Sequence, residues 1–129
     1  MKVTKRTGEI VEVRIDVEGD DAFAYSAGQE IGEVRTTGED DLGRGYVVSP
    51  TITYIHVDEE YRCNGIGLEL IRALSEEFGT LLPAQRNIGI GGINALTDEG
   101  ERLTRRAQAE GLVAPFPEER VEEEQVDDD

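Results

Sequence analysis

An arginine, an asparagine and two glycines stand together just before an apolar repeat, in the segment "YRCNGIGLEL" at residues 61–70. The apolar side chains after the glycines recur every four residues, which is typical of one face of a helix. The first amide groups of a helix have no partner inside it, and the helix dipole adds about +0.5 charge there. Glycines let ligand oxygens approach this backbone closely, and an arginine adds a charged fork. The segment therefore predicts a site for an anion such as phosphate at the start of the helix.

Two side chains just upstream could move protons. His56 is the single histidine of the chain, and histidine as a residue type titrates near neutral pH, so it is a candidate general base. The alternative is a packed strand residue that offers a ligand only its backbone. Tyr54 lies on the same strand face and is a candidate proton donor, or else an ordinary core aromatic.

The N-terminal third of the chain predicts antiparallel strands. Residues 11–17, "VEVRIDV", alternate between apolar and polar without a fault, which indicates one half-buried strand. The acidic turn at 18–21 and the segment at 22–27 then predict a hairpin. A third strand at 29–37 loses its alternation around Gly32, which favours a β-bulge there.

The middle of the chain predicts the strand and the helix that hold the anion site. Residues 46–57 form one strand interrupted near Pro50, or a short strand and a second one from Thr51 onward. The second part reads as a strand buried on both faces. The four-residue apolar repeat predicts a helix at 65–78 that packs on the sheet, and capping and charge order predict another at about 97–110.

The remaining segments carry weaker signals. Residues 80–94 are poorly patterned, although a short fifth strand fits near Ile88 and Ile90. The chain of 129 residues is enough for one domain, which we expect at 1–113. The acidic residues 114–129 hold too little apolar surface to offset their ordering entropy and are predicted to be a disordered tail.

Composition narrows the classes of partner. With 29 acidic and 13 basic residues the net charge is −16, so we expect no binding to nucleic acid or to a membrane surface. No apolar stretch approaches the ~18 residues of a membrane span, and no signal peptide is evident. One cysteine and one histidine predict no disulfide and no metal site. We expect a cytoplasmic protein.

The charge balance also points to the solvent in which the protein works. Only Lys2 and Lys5 are lysines, and the other eleven basic residues are arginines. Acid-rich and lysine-poor chains are typical of salt-loving cells, where salt near 1 M shortens the Debye length to ~3 Å and screens the carboxylates. We therefore predict that the protein works in a cell with a high internal salt concentration. An acidic protein that imitates nucleic acid is the alternative.

The whole segment "YIHVDEEYRCNGIGLELI" resembles the acetyl-CoA-binding segment of the GNAT superfamily of N-acetyltransferases, in the form found in halophilic archaea. The family signature is Arg or Gln, two variable residues, Gly, one variable residue, and Gly or Ala. It is filled in order by Arg62, Cys63, Asn64, Gly65, Ile66 and Gly67. Val57, five residues before Arg62, falls where the family ends its splayed fourth strand.

This resemblance implies an α+β fold of GNAT type, with a mixed, mostly antiparallel sheet flanked by helices. The pyrophosphate of acetyl-CoA would lie on the amides from Cys63 to Gly67. Its pantetheine arm would pair with the backbone of Ile55, His56 and Val57, near Asn94. The implied reaction is N-acetylation of a small-molecule or peptide amine by direct attack in a ternary complex, with acetyl-CoA as co-substrate and no metal.

Two departures from the family pattern leave a second function open. Many members place a tyrosine in the last helix as general acid, and the same count here arrives at Ala107. The acid is then absent, or it is Tyr54, Tyr61 or water. Only "EGDD" separates the first two strands, so the usual acceptor-side helices are reduced or absent, and a second subunit in a homodimer or the loop at 38–45 would complete the site. The alternative function is a catalytically inactive CoA-binding or protein-interaction module.

Overall fold

The structure, a computed structural model, describes residues 1–37, 40–41, 47–84 and 98–116. In this part of the chain the strands come first and the helices follow, with every pair of named strands antiparallel. The strands are β1 Lys2–Thr4, β2 Ile10–Glu12, β3 Arg14–Glu18, β4 Asp21–Ser26, β5 Gln29–Thr36, β6 Asp40–Asp41, β7 Val47–Val48 and β8 Ile52–Val57. The helices are α1 Ile66–Phe78 and α2 Asp98–Ala109, with a 3₁₀ turn at Glu59–Tyr61. The prediction of an α+β protein is confirmed.

The largest sheet carries the core. Its strands stand in the order β3, β4, β5 and β8, and helix α1 packs across them. The apolar stripe of α1 provides Leu70, Ile71 and Leu74, whose side chains are fully buried. The predicted hairpin is present, with Glu18 opposite Asp21 across the turn. This packing fixes the axis of α1, and therefore the direction in which its N-terminus points.

The prediction of one strand at 11–17 is wrong, because Val13 separates β2 from β3. The amide of Val13 donates a hydrogen bond to the carbonyl of Met1 at 2.7 Å. Before this point the chain pairs with β1, and after it the chain pairs with β4. The apolar alternation continues through the break, since Val13 itself is buried. A change of pairing partner leaves no mark in the hydrophobic pattern.

Two irregularities shape the sheet near the predicted site. The bulge expected around Gly32 is present, because the register shifts where Ala24 faces Gly32 and Tyr25 faces Glu30. A second shift leaves Thr53 without an opposite residue in β5. Bulges bend a strand and increase its twist.

Strand β8 begins after Pro50, as the second of the two alternatives has it. It is not buried on both faces, so that expectation is wrong. Tyr54 is 45% exposed, although Ile52 is fully buried. The physical reason is that β8 is the last strand of the four-stranded sheet and only one of its faces is covered by α1.

Both helices end as the sequence predicts, at Gly79 and Gly111, which have positive φ values of 82° and 77°. The chain then returns to the core beyond α2. Val113 forms a parallel bridge with Leu81, and the side chain of Phe116 is only 1% exposed. These contacts lie at and just beyond residue 113, where the sequence predicts the end of the domain. The predicted strand near 88–90 and the rest of the predicted tail lie outside the described residues.

Candidate functional site

A groove of about 880 Å³ opens between β8, the loop that follows it and the two helices. Strand β8 forms one wall, the N-terminus of α1 forms the floor, and one side of α2 forms the opposite wall. Its lining residues are Tyr54, Ile55, His56, Val57, Tyr61, Arg62, Cys63, Gly65, Ile66, Gly67, Leu68, Gly100, Arg102, Leu103 and Arg106. The structure thus brings together, around one cavity, every described residue predicted for the site except Asn64.

The outer edge of β8 is paired at its start and open further along. The amide of Ile52 donates to the carbonyl of Leu82 at 3.0 Å, in a short parallel bridge. Beyond this bridge, alternate residues of an antiparallel strand point their backbone groups to opposite sides. Because the amide of Asp58 donates to Ile31 in β5, the polar groups of Ile55 and Val57 point away from β5. They face the groove, and no hydrogen bond joins the amides of Ile55 and Val57 to another described residue.

The N-terminus of α1 carries no side-chain cap among the described residues. Gly65 holds a left-handed conformation with φ of 77°, where a glycine is strongly favoured. The first hydrogen bond of the helix runs from the amide of Glu69 to the carbonyl of Gly65. The amides of Ile66, Gly67 and Leu68 therefore have no acceptor within the helix, and all three residues line the groove.

Arg62 has a structural role in addition to the predicted one. Its Nε donates a hydrogen bond of 2.9 Å to the carbonyl of Val57. This contact closes the loop between β8 and α1 and occupies the carbonyl of Val57, which is one of the two Val57 backbone groups that face the groove. The distance between the strand edge and the helix start is therefore held by the same arginine that lines the groove.

Asn64 lies apart from the main groove and joins the loop to the first strand. Its side-chain oxygen accepts a hydrogen bond of 3.1 Å from the amide of Thr4, and its Nδ2 donates to the carbonyl of Thr4 at 2.8 Å. The same Nδ2 also donates to the carbonyl of Tyr61 at 3.0 Å. Asn64 borders a smaller cleft on the other side of the loop, with Thr4, Arg6 and Glu59. Its side chain supports the loop from outside the groove.

Tyr54 and His56 share one face of β8, as predicted, and their rings stack with centroids 6.3 Å apart. The Nε2 of His56 lies 3.0 Å from the Oδ1 of Asp58. Because an ionised carboxylate can only accept, a hydrogen bond here requires the ring proton on Nε2, and Nδ1 is then the acceptor of the neutral ring. His56 is therefore an oriented imidazole at the wall of the groove, and Asp58 is the partner that sequence patterns did not indicate.

The contact between the helices gives Gly67 a second reason to be a glycine. A Cβ at position 67 would lie 2.6 Å from the Cδ2 of Leu103. The absent side chain therefore lets α2 approach the start of α1. Ala107, which the family pattern matches to a catalytic tyrosine, is fully buried and does not line the groove.

Sequence reasoning missed the contribution of α2 to the groove. Arg102 and Arg106 line its wall on either side of Leu103. In the sequence, these arginines contribute to the charge order that indicates a helix. Their spacing of four residues in an otherwise acidic chain was the signal that could have found them, since residues four apart share a helix face. Asn94 lies outside the described residues.

Two further properties concern metals and membranes. Within the described ranges, no cluster of three or more His, Cys, Asp and Glu side chains is arranged to hold a metal ion. In the same part of the chain, neither helix has the length and apolar character needed to cross a membrane.

Fold and groove together define an α+β protein in which an open strand edge and an uncapped helix start meet in one cavity. Comparison of the chain with models of known protein families, with curated protein sequences and with solved structures gave no match.

Proposed function

We propose that this chain is a GNAT-type N-acetyltransferase that uses acetyl-CoA as acyl donor. The observation that carries the proposal is the meeting of the open edge of β8 and the uncapped start of α1 in one groove. A ligand with a phosphate at one end and amide groups along its arm matches both features. Acetyl-CoA has this chemistry, and the loop between the two features has the Arg-x-x-Gly-x-Gly sequence of the family.

The helix start is the proposed site of the pyrophosphate. The amides of Ile66, Gly67 and Leu68 would donate to its oxygens, and the helix dipole would add to their attraction. Charge-assisted hydrogen bonds contribute ~1.5–3 kcal/mol each, and several act here at contact distance. Repulsion from the many distant carboxylates is weakened by exposure and by salt. The local amides therefore outweigh the net charge of −16.

The strand edge is the proposed site of the pantetheine arm. The amide and carbonyl of Ile55 and the amide of Val57 are the groups that it would pair with, in the manner of an added strand. The carbonyl of Val57 already accepts from Arg62. This pairing would place the thioester beside the aromatic face of β8, where Tyr54 and His56 lie.

The proposed reaction is attack of an amine nitrogen on the thioester carbon. The new N–C bond forms, the C–S bond breaks, and the thiolate takes a proton. His56 is the proposed base for the ammonium of the acceptor, since Asp58 orients its ring and leaves Nδ1 as proton acceptor. Tyr54 is the proposed acid for the thiolate.

Calorimetric titration with acetyl-CoA in high KCl tests the binding half of this proposal. Gly65 suits a charge test because a Cβ there meets no other atom within 4 Å, and because Asn and Asp tolerate left-handed backbone better than other residues do. The Gly65→Asp variant puts a carboxylate at the helix start, whereas Gly65→Asn has the same shape without the charge. We expect Gly65→Asp to bind at least about tenfold more weakly than Gly65→Asn, which corresponds to one lost charge-assisted hydrogen bond. Equal binding by the two variants would contradict this position for the donor.

Thiol release from acetyl-CoA with a panel of small and peptide amines tests the chemical half. The expected result is turnover with one class of amine, and its reduction in His56→Gln with donor binding retained. Release that is unaffected by His56→Gln would assign the base elsewhere.

A second function, a CoA-binding or interaction module without catalysis, is favoured by two observations. Position 107 is a buried alanine, and β3 and β4 are joined by a tight turn with no room for acceptor helices. Such a module would bind acetyl-CoA and show no turnover across the amine panel. A third possibility, an acidic mimic without a small ligand, would bind no acetyl-CoA at all.

The cellular setting belongs to the same proposal. We place the enzyme in the cytoplasm of a cell with concentrated salt, where its acidic surface is screened. A second copy of the chain would supply the acceptor wall that the short β3–β4 turn leaves out.

A further inference from the structure

The charge of the residues that line the groove is opposite in sign to the net charge of the chain. Acidic residues outnumber basic ones 29 to 13 in the whole sequence. Among the described residues that line the groove, none is Asp or Glu, whereas three are arginines. A local excess of positive charge in an acidic protein concentrates anions at that place.

Two of these arginines belong to α2. Arg102 and Arg106 are four residues apart and therefore project from the same face of the helix. Leu103 lies between them and packs against Gly67 at the start of α1. The pair is thus fixed beside the helix start, and it is separate from the backbone amides that the donor would use.

Neither arginine is strongly neutralised by the described part of the chain. Arg102 is exposed, and it forms no ion pair with any of the side chains that the structure describes, which do not include those of Asp98 and Glu99. Arg106 reaches Glu110 only at 3.9 Å, and Glu110 is already held by Arg72 at 2.5 Å. An exposed pair at this distance contributes little, so most of the charge of Arg106 remains available to a ligand.

We propose that Arg102 and Arg106 form an anion-binding pair, distinct from the start of α1, that takes a phosphate or carboxylate of a molecule in the groove. If the proposed function holds, two molecules could supply this anion. One source is the phosphate on the ribose of acetyl-CoA, and the other is a carboxylate or phosphate on the acceptor amine. The existence of the pair does not depend on which source is used.

The test compares two double variants that lose the same charge. In Arg102→Gln with Arg106→Gln, the two groove arginines of α2 are neutralised, while Arg62 is kept. In the control, Arg14→Gln with Arg105→Gln, neither residue lines the groove, since Arg14 lies over the ring of Tyr25 and Arg105 over that of Phe116. Thermal melting at fixed KCl shows that each variant is folded. Inorganic pyrophosphate, acetyl-CoA and acetyl-CoA without its ribose phosphate are then titrated by calorimetry.

We expect the groove variant to bind pyrophosphate at least about tenfold more weakly than the control, as loss of a charge-assisted contact requires. A matching loss for acetyl-CoA that disappears when the ribose phosphate is removed assigns the pair to the donor. The same loss of pyrophosphate binding with both donors unaffected assigns it to the acceptor. Equal pyrophosphate binding by the two double variants overturns the proposal. Loss of pyrophosphate binding in a protein that binds no acetyl-CoA would support the pair and contradict the proposed function.

Discussion

Gly67 serves two requirements at once, at the point where α1 begins. Its amide is one of the groups that no residue of the helix satisfies, and its missing side chain admits Leu103 of α2. Gly65 has a different reason to be glycine, since its φ of 77° is left-handed while the space around it is open. The sequence pattern could not separate these reasons. It indicated a loose backbone and gave no sign of the helix that packs against it.

The contact between positions 67 and 103 predicts a measurable coupling. Gly67→Ala adds helix propensity of up to about 1 kcal/mol, but it also forces the methyl group of Leu103 to move. We expect Gly67→Ala to be less favourable in the wild-type chain than in a chain that carries Leu103→Ala, where it should raise the free energy of unfolding. A double-mutant cycle by denaturant unfolding at fixed KCl should give a coupling of about 1–2 kcal/mol.

Leu112→Ala is the control for this cycle, because Leu112 packs on the core while the atoms nearest to a Cβ at 67 all belong to Leu103. Its effect should add to that of Gly67→Ala. If the effects of Gly67→Ala and Leu103→Ala were additive as well, the contact between the two helices would not restrict the side chain at position 67.

At the level of elements, periodic patterns predicted α1 and the β3–β4 hairpin, because each buries a stripe or a face whose period is visible in the chain. Capping and charge order predicted α2, and Pro50 indicated the break before β8 as one of two alternatives. The break at Val13 was missed because a change of strand partner keeps the same face buried. The exposure of Tyr54 was missed because an edge position in a sheet is set by strand order, which local sequence does not encode. The α2 wall of the groove was missed for a similar reason, since it depends on how two helices meet.

The anion loop is also supported from outside by β1, through a clamp made by Asn64. We expect Asn64→Ala to lower the free energy of unfolding by about 2 kcal/mol, because two or more hydrogen bonds at about 1 kcal/mol each are lost. The amide of Thr4 would lose its acceptor and exchange with solvent faster. Hydrogen exchange of that amide, followed by NMR, is the direct measurement.

The matched variant Asn64→Asp keeps an oxygen that can accept from Thr4 but removes the donor to the carbonyls of Thr4 and Tyr61. Its Thr4 amide should stay better protected than that of Asn64→Ala, although its stability also falls. Unchanged exchange in Asn64→Ala would mean that the Asn64 side chain does not protect the Thr4 amide.

For the whole molecule, charge is the property that most separates this chain from an ordinary domain of its size. A net charge of −16 on 129 residues opposes compaction when it is not screened. Ion pairs such as Arg72 with Glu69 and Glu110 offset part of this repulsion, but exposed pairs contribute little each. Stability should therefore rise with KCl, as the Debye length falls from ~10 Å at 0.1 M to ~3 Å at 1 M.

Two glutamates of α1 test this expectation, because neutralising each of them should change the stability at low salt in opposite directions. Glu69 lies in the first turn, where the helix dipole favours negative charge, and it also contacts Arg72 at 2.9 Å. Glu77 is exposed in the last turn, which contains no basic residue, so the dipole opposes its charge. At low salt we expect Glu69→Gln to destabilise and Glu77→Gln to stabilise the protein, each by about 0.3–1 kcal/mol.

Both differences in stability should shrink toward zero near 1 M KCl, because they are electrostatic and arise at exposed side chains. Thermal melting of the two variants and the wild type across a KCl series measures this directly. Differences that persist at high salt would assign the effects to packing, and a wild type whose melting temperature does not rise with KCl would remove the case for a protein that depends on salt.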